Sequence, residues 1–238
     1  MPTNKLAALT VISVVVLGVA AGTNSVAGKD KEYHPVIDPA NFQTTIDNPY
    51  YPLAPGTVYK FIDRSSKTPA DNEITVTNDT KVIMGVTCTV VHDVVMEKGK
   101  VSEETFDWFA QDKQGNVWYF GEDTKEFHGD KVSTEGSWEA GIGPNQPGII
   151  MPGQPKPGAP AYRQEYGPGH AEDMGQIITN NETVTVPYGT FKDCVRTKEW
   201  SLLEAGSEKK WYANGIGCIK EISPEGYVTE LVSMTRPK

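Results

Sequence analysis

From Gly56 onward the apolar positions recur at every second residue in short runs, the spacing of half-buried strands rather than of helices. Val58–Ile62 alternates, and a polar turn follows around Ser65–Asn72. Ile74–Thr77, Lys81–Met84 and Val86–Met96 are rich in Val, Ile and Thr, whose branched side chains suit a pleated surface. Glu97-Lys98-Gly99-Lys100 makes a turn, and Val101–Ala110 and Asn116–Gly121 form a hairpin around Asp112-Lys113-Gln114-Gly115. Glu126–Ser133 adds a strand pair around Gly129-Asp130. The same texture returns in Glu182–Val186, Thr190–Leu203, Lys209–Ala213, Gly217–Ile222 and Tyr227–Met234, with turns at Asn214-Gly215 and Ser223-Pro224-Glu225-Gly226. Between the two blocks, residues 141–171 hold 7 Pro and 7 Gly. Such a stretch is predicted to form neither a regular strand nor a helix, and its length marks a connector or a functional loop. Ala171–Thr179 is predicted as one short helix, with Glu172 and Asp173 at the positive end of its dipole. The pattern predicts an all-β chain: a curved antiparallel sheet or incomplete β-barrel with one short helix.

The N-terminal pattern is different. Residues 6–22 are uncharged and mostly apolar, follow one basic residue, Lys5, and lead to the small-residue site Ser25-Val26-Ala27 before Gly28. That is the layout of a secretory signal peptide over residues 1–27. The run is a little short for the ~20 residues that a bilayer core needs, and no basic cluster follows it. No Cys lies at the cut, so the expected product is soluble, secreted or periplasmic, and without a membrane anchor. Residues 28–56 read as an extended lead-in, because Pro49 and Pro52 in Asn48-Pro49-Tyr50-Tyr51-Pro52-Leu53 forbid a helix. Residues 57–238 then form a single β domain, long enough for one good-sized core.

The chain carries 31 acidic and 22 basic residues, a net charge of −9 that becomes about −10 once Lys5 is removed. This balance repels nucleic acid and anionic membrane surfaces and is compatible with cations. The 3 cysteines contain no CxxC, so zinc-ribbon and thioredoxin-like chemistry has no support.

The two strand blocks resemble each other. Gly85–Cys88 and Gly189–Cys194 each begin a long strand after a turn, and Trp108-Phe109-Ala110 is matched by Trp211-Tyr212-Ala213. The offsets are 106 for the cysteines and 103 for the tryptophans. A duplication would make the domain two related meander halves. It would also place Cys88 and Cys194 at equivalent positions near a pseudo-twofold axis, which favours a Cys88–Cys194 disulfide; Cys194–Cys218 is the alternative pairing.

The run Glu182-Thr183-Val184-Thr185-Val186-Pro187-Tyr188-Gly189-Thr190-Phe191-Lys192-Asp193-Cys194 resembles a pattern in exported bacterial proteins. So does Trp211-Tyr212-Ala213-Asn214-Gly215-Ile216-Gly217 with Cys218-Ile219-Lys220-Glu221. The resemblance covers residues 182–222 and implies a half-barrel similar to the LolA/LolB type of periplasmic lipid carrier. The matched residues are a structural signature and transfer no catalytic role.

Candidate chemistry is sparse. His170, Glu172 and Asp173 stand close together after the Pro/Gly segment and could hold a divalent metal ion; the competing reading is a solvated His and two helix-start carboxylates. His92 shares a strand face with Cys88 and Val90, so a nucleophile–base pair is conceivable, against a structural His. Glu103 and Asp107 share a face, with Glu122 and Asp123 beyond the hairpin; carboxylates held ~5–9 Å apart can act as glycosidase pairs. Gly136-Ser137-Trp138 lacks the spacing of a hydrolase elbow. Trp108, Trp118 and Trp211 are candidates for an apolar ligand surface on the concave side of the sheet, in competition with a filled core. Two function classes follow. The first is a non-enzymatic protein binding an apolar small molecule or lipid in the concavity. The second is a metal-dependent or carboxylate-based hydrolase sited near residues 163–173.

Overall fold

A computed structural model describes residues 33–64 and 69–237. The export segment and the turn residues 65–68 lie outside the described residues. The elements are β1 (Phe42–Gln43), β2 (Val58–Asp63), β3 (Ala70–Ile83), β4 (Val86–Glu97), β5 (Lys100–Asp112), β6 (Val117–His128), β7 (Lys131–Ser133) and β8 (Trp138–Glu139). They continue as β9 (Gln146–Met151), β10 (Tyr162–Arg163), β11 (Glu165–Tyr166), β12 (Asp173–Val186), β13 (Gly189–Ser201), β14 (Glu208–Ala213), β15 (Gly217–Ile222) and β16 (Val228–Thr235). Among the described residues the one helical element is a 3-10 turn at Pro39–Asn41, and no helix is long and apolar enough to cross a membrane.

The strands form an all-antiparallel, nearly closed barrel in the order β10-β12-β13-β14-β15-β16-β2-β3-β4-β5-β6-β9-β11. Its long walls are two four-strand meanders, β3–β6 and β12–β15, each led by a hairpin of 12 to 14 residues per strand. Tight turns join them. Met84 and Gly85 both have positive φ, 50° and 80°, as do Lys98 and Gly99, the geometry whose twist matches a hairpin. β16 joins the halves by pairing with β2, Thr235 opposite Val58.

Two sequence expectations fail here. The short helix expected over Ala171–Thr179 is the start of β12. Asp173, Gly175 and Ile177 are buried while Met174, Gln176 and Ile178 are half-buried, a period of two that the carboxylates at 172–173 do not override. The Pro/Gly segment also contributes strands. β9 pairs with β6, and the stretch 162–166 bridges the open edges: Tyr162 and Arg163 pair with Gly175 and Met174 of β12, while Glu165 and Tyr166 pair with Pro147 and Gln146 of β9. The chain changes partner at fully buried Gln164. Gly148 is required there, since a Cβ on it would meet the carbonyl of Gln164 at 2.3 Å.

The expected Cys88–Cys194 bridge does not form; Cys88, Cys194 and Cys218 are all free thiols. Cys88 lies on β4 and Cys194 on β13, with β14, β15, β16, β2 and β3 between them. The alternative fails too. Val195 pairs with Tyr212, and Tyr212 pairs with Cys218, so Cys194 points to the opposite side of the sheet from Cys218.

Candidate functional site

Residues paired directly across antiparallel strands point to the same side, so the register defines what faces the barrel interior. Towards one end lie Tyr59, Val76, Val91, Phe109, Tyr119, Ile150 and Tyr212, all buried. Towards the other end lie Asp63, Asp93, Asp107, Glu122, Asp173, Glu199 and Glu221, with Glu165 from the bridging stretch, and these too are buried. One buried lysine, Lys210, accompanies them. The interior is therefore divided into an apolar layer and a carboxylate layer.

The lead-in covers the apolar mouth. Gln111 Oε1 accepts hydrogen bonds from the backbone N–H groups of Asp47 and Asn48, and Asn48 Nδ2 donates to the carbonyl of Gly115. The Gly215 N–H donates to the Pro49 carbonyl, and Tyr59 Oη donates to that of Pro52. These bonds lay Tyr51 across the mouth, 5.6 Å from the ring of Phe109 and 6.2 Å from that of Tyr212. Phe109 and Tyr212 occupy matching places in the two meanders, each following an outward tryptophan, so Tyr51 lies between duplicate rings.

A cavity of about 70 Å³ remains between the two layers. A water needs roughly 10–15 Å³ of such space, so several would fit. Tyr51, Tyr59, Phe61, Phe109, Ile150 and Tyr212 supply apolar wall, while Asp93, Asp107, Lys210 and Glu221 supply the polar end. Half-buried Pro52, Ile216 and Cys218 form its outer lip.

The polar end is unevenly compensated. Lys210 Nζ lies 3.2 Å from Glu199 Oε2, 3.3 Å from Glu208 Oε2 and 3.8 Å from Glu221 Oε2. Burial works against its charge, but the surrounding carboxylates outweigh it and hold Lys210 well above its ordinary value. Glu199 Oε1 also accepts from Thr197 Oγ1 at 2.6 Å and Tyr212 Oη at 3.1 Å. On the other side, Tyr119 Oη donates to Asp107 Oδ1 at 2.9 Å and Asn72 Nδ2 donates to Asp93 Oδ1. The second oxygens, Asp93 Oδ2 and Asp107 Oδ2, are buried without a hydrogen-bond partner. Burial pushes Asp107 up to about 8, aided by Glu103 and opposed by the Tyr119 hydrogen bond. Burial first, then Asp107 and Glu103, drive Asp93 well above the carboxylate range. Asp107 therefore holds a proton at neutral pH.

The residues singled out from sequence lie elsewhere. Trp108, Trp118 and Trp211 do not line the cavity. Trp108 lies beneath Lys81 Nζ, 3.3 Å from its ring centre; Trp118 Nε1 donates to Asp112 Oδ2 at 2.8 Å; Trp211 Nε1 donates to Glu182 Oε2 at 2.6 Å. Cys88 and His92 share a face, but it is the outer one, since Val90 pairs with Trp108. His92 stacks on Phe106 and reaches Glu104 at 3.0 Å, while burial raises the Cys88 thiol to about 12, so neither is set up as a nucleophile–base pair. Glu172 accepts from the Gly169 N–H and lies 3.5 Å from Arg163 Nη1, His170 is exposed, and Asp173 is buried on the other side of the strand. Among the described residues no group of three or more His, Cys, Asp or Glu side chains could hold a metal ion.

A smaller crevice opens at the carboxylate end, lined by Asp173, Glu199, Ser201, Glu204 and Glu208. Burial raises Asp173 to about 7, against a hydrogen bond from Ser201.

No family model and no curated protein matches this sequence. Two solved structures have a loosely similar shape. One is from Bacteroides fragilis, described as an exported protein with YmcC-like fold; it is 15% identical at a TM-score of 0.45, over 79% of this chain and 99% of that one. The other, described as a lipoprotein from Parabacteroides distasonis, is 13% identical at a TM-score of 0.36, over 78% of this chain and 98% of that one.

Proposed function

We propose that this is an exported, non-enzymatic binding protein that holds a small molecule with an apolar body inside the barrel. The cavity carries this reading. Protein interiors pack to crystal-like density and leave few voids larger than a water molecule. Here a ring of Tyr51, Tyr59, Phe61, Phe109 and Tyr212 encloses open space beside charged groups. The size favours a compact ligand over a lipid chain, because pockets for larger ligands run to roughly 300–1,000 Å³. Ile150→Trp, which fills the space from β9, tests the reading. Wild-type protein is expected to bind benzene at one site by NMR titration, and the variant is expected to lose that site. Equal binding by both, or none by the wild type, refutes it.

A second reading has one observation in its favour. Asp173, near neutrality in its ionisation, stands beside Ser201 and Glu199 in a crevice, as a carboxylate-based hydrolase would require. Asp173→Asn should then abolish hydrolysis of ester or glycoside model substrates; no turnover by the wild type discards this reading.

A further inference from the structure

The two meanders place their interior residues in register. Asp93 on β4 corresponds to Glu199 on β13 at an offset of 106, the offset of the cysteines. Asp107 on β5 corresponds to Lys210 on β14 at 103, the offset of the tryptophans. Cross-strand pairing agrees: Asp107 pairs with Glu122 as Lys210 pairs with Glu221. One corner of the barrel is thus an ammonium among carboxylates. The other holds carboxylates around Asp107, which stands in the register position of Lys210.

Resting on the binding reading above, we propose that the cavity's ligand is a small organic cation, whose ammonium group sits against Asp93 and Asp107 and whose apolar part lies on Phe61, Phe109 and Ile150. Three observations support this. Asp93 and Asp107 line the cavity, and the Oδ2 atom of each is buried without a hydrogen-bond partner, although each residue is at most 3% exposed. Buried polar atoms of this kind are costly unless something completes them. Aromatic faces stand beside them, and such faces attract cations. The wall opposite is apolar, and no three-ligand metal group exists among the described residues, so an organic cation fits better than a bare metal ion. Lys210 lines the same cavity, but Glu199, Glu208 and Glu221 already take up its charge.

Binding is coupled to protons. Asp107 faces Asp93 from β4, Glu103 on its own strand, Tyr119 and Glu122 from β6, Glu165 from β11 and Tyr51 from the lead-in, with Lys210 from β14 and Glu221 from β15 lining the same cavity. Apart from Lys210, and from Tyr119 whose hydrogen bond favours the Asp107 carboxylate, these groups are acids and oppose a second negative charge. The empty site therefore keeps the Asp107 proton at neutral pH, and an entering cation displaces it. An alkylammonium, titrating near the ~10.4 of lysine, stays charged throughout. Affinity should rise with pH from 6 to about 8 and then level off.

The test is calorimetric titration of the protein with n-butylammonium and with butan-1-ol, which matches its shape without the charge. The amine is expected to bind one per chain at pH 8.5, about tenfold or more tighter than the alcohol. Its heat should depend on the buffer's ionisation enthalpy in the sense of proton release. Asp93→Asn and Asp107→Asn are each expected to erase the amine's advantage over the alcohol. If either variant fails to fold, the pH profile of the wild type decides. Equal affinities, or alcohol binding alone, overturn the cationic ligand and leave the binding reading standing. If neither probe binds, and benzene does not, both are overturned.

Discussion

Replacing Lys210 with Met removes the buried cation that lies among the carboxylates and keeps the length and apolar stem of the side chain. The lysine side chain is 6% exposed, and those of Glu199 and Glu221 are 3% exposed. Taking one partner from a buried ion pair typically costs about 3–5 kcal/mol, because the other charge is left uncompensated. Glu221, which burial already holds well above the carboxylate range, limits that cost by taking up a proton, at about 1.4 kcal/mol for each pH unit above its unfolded value of ~4.3. Lys210 lowers the Glu221 value, so in the variant the folded ionisation of Glu221 lies further above the unfolded one. The penalty is thus nearly absent below pH 4 and grows as pH rises towards the folded value. Urea unfolding at pH 8 is expected to show Lys210→Met less stable by about 3 kcal/mol or more, shrinking to about 1 kcal/mol at pH 5. The triple change Lys210→Met, Glu199→Gln, Glu221→Gln should recover most of the loss at pH 8. A loss below about 1 kcal/mol at pH 8, or one equal at both pH values, would refute the assignment of Lys210 as the counter-charge of this layer.

Three further outcomes follow from the same geometry. Asp107 and Asp173, raised to about 8 and 7, bind protons in the folded state that the unfolded chain gives up near ~3.9. Stability should therefore be greatest in mild acid and fall as pH rises towards 8, and Asp107→Asn should flatten that fall by up to about 1.4 kcal/mol per pH unit in urea titrations. Gly148→Ala forces a Cβ into the Gln164 carbonyl and should cost about 1–3 kcal/mol in thermal unfolding, with faster amide exchange in β9 and β12; an unchanged midpoint speaks against closure at this point. Alkylation of unfolded, unreduced protein should label all three thiols by mass spectrometry, whereas a single label would indicate the missing bridge.

Most of the barrel is legible in the alternating runs of the sequence, since the period of two and the Gly-bearing turns are local signals. Closure is not. The stretch 162–166 works as a strand only because both barrel edges are present to pair with it, a non-local effect that composition conceals. Strand β4 shows a second limit. Cys88, Val90 and His92 form one face, and Val91, Asp93 and Val95 the other, both largely apolar, so the interior side cannot be chosen from the strand alone. It is the Asp93 face, as Ile74 opposite Asp93 shows. The tryptophans read in sequence as a ligand surface, but on the outer face Trp118 and Trp211 donate to carboxylates and Trp108 lies beneath Lys81, leaving Phe109 and Tyr212 inside. The sequence signal that points to the site is the similarity of the two strand blocks, whose offset of 103 sets Asp107 against Lys210.

The pairing of β2 with β16 has a kinetic consequence. Each meander consists of hairpins between neighbours in sequence, whose loops close at low entropic cost and early. Joining Val58 to Thr235 closes a loop almost as long as the domain, so barrel closure must come late. Until it does, each half is an open trough whose acidic face is still in water, where its carboxylates carry full charge. Completion of the barrel is then also a neutralisation step for Asp107 in one trough and Asp173 in the other, and the refolding rate should slow as pH rises, because both must gather protons before the halves can meet.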